Sequence, residues 1–120
     1  MRYSNISTTV ILAVLSSPLA SATVFLALRT GEDGSQSQVA YTNGTPDVCS
    51  GFTTIVDSNS DPCGISFDVD GNNGPFEFEG CGGNGLSLDQ DGSFNSNCEF
   101  QSSTISCPGG VTIQQNFACF

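Results

Sequence analysis

Short apolar–polar alternations recur along most of the chain. Val24, Leu26 and Leu28 alternate with their neighbours, as do Val39 with Tyr41, and Ile65, Phe67 and Val69. The same period returns in Phe76 with Phe78, Leu86 with Leu88, and Val111 with Ile113. A period of two puts every second side chain on one face, which is the mark of a half-buried strand. Residues 52–56 and 103–107 supply two further strand candidates. Gly, Ser and Asn punctuate these runs, and beyond residue 22 no stretch sustains the 3.6-residue period of an amphipathic helix. The pattern therefore predicts an all-β fold, an antiparallel sandwich or barrel of seven or eight short strands. With no repeat and no internal linker, residues 23–120 read as one domain.

One hairpin can be set out by register. Ile65 to Val69 and Phe76 to Glu79 flank a turn rich in Asp, Gly and Asn. Pairing Val69 with Phe76 and Phe67 with Phe78 gathers the apolar residues on one side. The same register sets Asp68 opposite Glu77 and Ser66 opposite Glu79. A slip of one residue would turn the aromatic rings outward, so burial opposes it.

The start of the chain follows different rules. Arg2 precedes the apolar run Val10-Ile11-Leu12-Ala13-Val14-Leu15, Pro18 interrupts it, and Ala20-Ser21-Ala22 closes the segment. A charged start, a short apolar centre and small residues at the exit predict a secretory signal over residues 1–22, cleaved after Ala22. The run is too short for a membrane anchor, since a bilayer crossing takes roughly 20 apolar residues. Secretion to the extracellular space without membrane insertion is the expected outcome.

Export changes how the cysteines are read. All six, Cys49, Cys63, Cys81, Cys98, Cys107 and Cys119, lie beyond the leader. An even number in a short exported chain predicts three disulfides, with the connectivity left open. Zinc is a poor alternative, because no C-x-x-C pair and no histidine is present. Each bridge contributes about 2–4 kcal/mol by restricting the unfolded chain, and a core this lean needs such help.

Charge narrows the partners. Twelve acidic residues face two basic ones, for a formal charge of −10, and Arg29 is the only base left once Arg2 departs with the leader. Nucleic acid and anionic membranes call for Lys and Arg, so neither is an expected partner.

Three segments carry oxygen ligands at alternate positions: Asp57-x-Asn59-x-Asp61, Asp68-x-Asp70-x-Asn72, and Asp89-x-Asp91-Gly92. Calcium takes six to eight hard oxygen ligands, which makes these residues, with Glu77 and Glu79, candidate cation ligands. An EF-hand is ruled out, because Asn73 stands at the tight-turn glycine, Pro75 intrudes, and strands flank the segment. The competing reading is that Asp and Asn cap their own turns. Without His, Lys or a free thiol, nucleophilic triads and Schiff-base chemistry lack their groups. Paired carboxylates of the glycosidase type remain, with Asp68/Glu77 and Asp89/Asp91 as the candidates, yet a domain this small seldom builds a sugar-holding cleft. Trp is absent and Tyr41 is the one tyrosine beyond the leader, so sugar-stacking platforms are scarce. The nine Phe are expected in the core, with Phe120 the aromatic best placed for exposure. Asn43-Gly44-Thr45 is a sequon, which makes Asn43 a glycosylation candidate.

A leader, a short cysteine-rich mature chain and Ser/Gly/Asn-rich strands together make the chain resemble the small secreted cysteine-rich proteins of filamentous fungi. A β-barrel secreted family typified by a major mould allergen is a similar architecture. The resemblance implies an effector-like role. The expected function is a non-enzymatic extracellular interaction protein that binds an unidentified protein or glycan. A calcium- or carbohydrate-binding module is the alternative, and an acid-active hydrolase the third reading.

Overall fold

The computed structural model describes residues 23–69, 72–83 and 85–120. The segment expected to be a secretory leader, 1–22, lies outside the described residues. Eight strands form a single antiparallel sheet: β1 (Val24–Thr30), β2 (Gln36–Thr42), β3 (Thr53–Asp57), β4 (Phe67–Val69), β5 (Asn72–Glu79), β6 (Ser87–Gln90), β7 (Ser93–Ser106) and β8 (Thr112–Cys119). Their order is β3-β2-β1-β8-β7-β6-β5-β4. Each strand lies beside its neighbour in sequence except β3 and β4, and the last strand pairs with the first. The sheet curls until β3 and β4 approach each other, so the fold is a barrel with one seam left open.

Every strand sends apolar side chains into the barrel. Val24, Leu26, Ala40, Phe67, Val69, Phe76, Phe78, Leu88 and Cys119 form the inner core, with Ile55, Cys98 and Phe117 packed against it. Phe78 and Leu88 are fully buried, each worth roughly 1.5–3 kcal/mol of transfer from water. A second core lies on the outside of the wall made by β1, β2 and β8. It holds Ala27, Val39, Tyr41 and Ile113, with Phe25, Val48, Phe52 and Ile105 against them. Alternation decides which side each residue takes: on β1, Val24 and Leu26 point inward while Phe25 and Ala27 point outward.

The outer core is roofed by the link between β2 and β3. That link contains one helical turn, α1 (Val48–Gly51), whose N-cap Asp47 accepts a hydrogen bond from Cys49 N at 3.1 Å. The pattern of the sequence shows no sign of this turn. Arg29 lies over the Phe52 ring, 5.1 Å from its centroid, so the domain's one base helps cover apolar surface.

The cysteines pair as Cys49–Cys107, Cys63–Cys81 and Cys98–Cys119. The first ties α1 to the end of β7 across the outer core. The second joins the β3–β4 connection to the turn after β5. The third links directly opposed residues of β7 and β8.

The hairpin register differs from the expected one. Phe67 pairs with Phe76 and Val69 with Asn72, with an irregularity between them. Asp68 therefore does not face Glu77, and Ser66 Oγ instead lies 3.4 Å from Glu77 Oε1. The observed pairing is displaced by an even number of residues, which leaves Phe67, Val69, Phe76 and Phe78 on their predicted inner face. Burial alone cannot separate two such registers. The choice falls to ring contacts, with Phe67 stacked on Phe78 at 5.3 Å and tilted against Phe76 at 5.9 Å.

Candidate functional site

The outer face of β5, β6 and β7 collects acidic and aromatic side chains in two adjoining rows. In the first row Ser66 meets Glu77, Glu77 pairs with Asp89, and Asp89 pairs with Phe94. The second runs from Glu79 to Ser87 to Asn97, and Phe120 N donates to Asn97 O. Phe94 is 64 % exposed and Phe120 58 %. Inward-facing Phe78 and Leu88 anchor the strands from behind, which obliges Glu77, Glu79 and Asp89 to face out.

An Asp-Gly turn sets Phe94 in place. Asp91 has φ 53° and Gly92 φ 81°, both in the left-handed region, as a two-residue type I′ hairpin requires. Gln90 then pairs with Ser93, and Asp89 with Phe94. A bulge at Asn95 restores the inward direction at Ser96, which pairs with buried Leu88. Asp91 thus serves the turn. The Asp-Gly dipeptide between two strands was the signal from which outward Phe94 could have been derived.

The carboxylates of this face interact. Glu79 is held above the usual carboxyl range, first by a hydrogen bond with the Glu77 carboxyl, then by desolvation and the nearby charges of Glu77 and Asp89. No base lies in either row. The face therefore offers clustered carboxylates beside exposed rings.

The other acids named as candidate ligands are dispersed. Asp57 Oδ1, at the end of β3, accepts from Asn59 N at 3.0 Å and from Ser60 Oγ. Asp61 Oδ1 accepts from Cys63 N at 2.9 Å. Asp33 and Asp47 accept from the amide two residues on in the same way. This is the local capping that Asx turns provide. Asp68 is exposed in the middle of β4, Asn72 opens β5, and Asp70 lies outside the described residues. Among the described residues, the one group spaced to hold a metal is Asp61 with Cys63 and Cys81. Its two sulfurs are bonded to each other, which removes them as ligands. Asn43 is exposed, and its Oδ1 accepts from Thr23 N at 3.3 Å.

Three of the nine Phe are exposed: Phe120, the aromatic singled out for exposure, and also Phe94 and Phe100, which were expected in the core. Phe100 stands edge-on to Phe117 at 5.8 Å. Among the described residues no helix is long and apolar enough to cross a membrane. No protein-family model matches this chain, and no curated protein or solved structure matches it.

Proposed function

We propose that the protein is an extracellular, non-enzymatic interaction protein of the effector-like kind, and that it engages its partner through the outer face of β5–β7. The observation that carries this reading is the pair of adjoining rows in which Glu77 and Asp89 lead to exposed Phe94, and Glu79 leads through Ser87 and Asn97 to exposed Phe120. An exposed aromatic beside unopposed carboxylates suits a partner that presents cationic groups around an apolar patch. Three disulfides support the extracellular setting, since such bridges persist in oxidising compartments.

Capture of extracellular proteins and cell-wall glycans by the immobilised, oxidised protein tests this. A specific partner should be released by moderate salt and lost with the variant Glu77→Gln/Asp89→Asn/Phe94→Ala. Retention by that variant would place the interface elsewhere. Turnover of any polysaccharide at acidic pH, abolished by Glu77→Gln, would replace the binding reading with the hydrolase. The local engagement of Asp57 and Asp61 argues that millimolar calcium leaves the thermal midpoint unchanged. A calcium-linked rise would restore the cation-binding alternative.

A further inference from the structure

One end of the barrel is open. Leu26, Gln38 and Phe117 turn into the barrel there, and Pro62, Cys81 and Leu86 face them across a cavity of about 420 Å³. Pockets that hold small molecules run from roughly 300 to 1,000 Å³ and favour the mouths of barrels. The wall opposite the strands is tied down twice. Cys63–Cys81 joins the β3–β4 connection to the turn after β5, and Gln38 Nε2 donates to Ser60 O at 2.8 Å. Phe100, 68 % exposed, stands against Phe117.

We propose that this mouth binds a neutral, largely apolar small molecule. The lining chooses the class. Leu26, Leu86, Phe117, Pro62 and Cys81 give an apolar surface, and among the described lining residues Gln38 is the one polar side chain. Among the described residues neither a carboxylate nor a base lines it. Arg29, the one base beyond the leader, lies against Phe52 at the outer core, which is the other side of the β1 wall. An anionic amphiphile would enter against a chain of formal charge −10 and find no counter-charge. A cationic one would leave its charge unpaired among apolar groups, at a desolvation cost. A neutral molecule meets neither penalty. The site is separate from the outer face of β5–β7, so it stands or falls independently of the proposed partner interface.

Two dyes with the same aromatic frame separate the cases: neutral N-phenyl-1-naphthylamine and anionic 8-anilinonaphthalene-1-sulfonate. The purified oxidised protein should enhance the neutral dye's emission saturably, with one dye bound per chain. At low salt the anionic dye should bind at least about tenfold more weakly. Gly83 lines the cavity, and a Cβ there meets only Gly80 O at 3.6 Å. Gly83→Phe therefore starts a bulky side chain at the mouth from a Cβ in ordinary contact, and should weaken the neutral dye about tenfold. Phe94→Ala should leave it unchanged. In the wild-type protein the neutral dye should shift the methyl resonances of Leu26 and Leu86 and leave that of Ile105 in place, a reading that does not depend on any variant folding. Absence of saturable binding, equal binding of both dyes, or shifts confined to Ile105 would overturn the proposal.

Discussion

Glu79 takes up a proton more readily in the folded chain than a free carboxyl does, because it shares a hydrogen bond with Glu77 and feels two neighbouring charges. A carboxyl raised in the folded state adds stability at low pH and loses it as pH rises through the raised value. Thermal midpoints should therefore drift down as pH climbs above the ordinary glutamate value of 4.5, and Glu79→Gln should remove that part of the slope. A slope unchanged in the variant would mean that the Glu77–Glu79 contact does not form in solution. Asp33 works in the other direction. Hydrogen bonds from Ser35 hold its carboxyl below 3.8, so its contribution is present above that value and fades as pH falls through its lowered one. Gly80 carries a different constraint. Its φ is +86°, and a Cβ would run into the Gly85 carbonyl. Gly82 shares the left-handed conformation at φ +72° with open space around it. Gly80→Ala should thus cost roughly 2 kcal/mol or more, and Gly82→Ala about 1 kcal/mol. Denaturant midpoints of the two variants will rank them, and equal losses would show that the turn relaxes.

Among the elements, the strands were legible because period-two alternation follows directly from the pleat. What alternation could not reveal was which strands are buried on both sides. Val24 to Leu28 is apolar at every position, and β1 supplies the inner core with Val24 and Leu26 and the outer core with Ala27. A continuous apolar run signals two-sided burial, so the clue was present once the run was taken whole instead of by halves. Bulges were not legible. On β8, Leu26 pairs with Phe117 and Ala27 with Gln115, which leaves Asn116 as an extra residue. Phe117 and Cys119 consequently face inward while Gln115 and Ile113 face outward, where Gln115 Oε1 accepts from Tyr41 Oη at 3.2 Å. No local composition marks Asn116 for that part. The acidic face was half legible. Glu77 and Asp89 were named, but the partner of Glu77 depends on the β4–β5 register, and two registers of equal parity bury the same residues. The barrel mouth was illegible, because Leu26, Gln38 and Phe117 converge only through closure of the sheet.

For the molecule as a whole, the bridges carry unequal loads. Cys49–Cys107 spans 58 residues, against 18 for Cys63–Cys81 and 21 for Cys98–Cys119. Loop entropy assigns about 4 kcal/mol to the long bridge and about 3 kcal/mol to each short one. Unfolding of the three paired Cys→Ser variants should follow that order. The long bridge also holds α1 over Val39 and Tyr41, so its removal should expose Tyr41 and lower the hydroxyl's pKa, which burial now raises. A smaller loss there than at the short bridges would indicate that the unfolded chain is already compact around the outer core.

The seam between β3 and β4 has a consequence for connectivity. Val24 is paired with Cys119, so the ends of the barrel-forming chain are adjacent. Fusing residue 120 to residue 23 and opening the chain between β3 and β4 would yield the order β4-β5-β6-β7-β8-β1-β2-β3, in which every hydrogen-bonded neighbour is also a neighbour along the backbone. Such a circular permutant keeps the β1–β8 pairing but turns it from a contact between the two extremes of the sequence into a local hairpin. Because folding slows as contacts become less local, the rewired chain should refold faster than its parent with all three cystines intact.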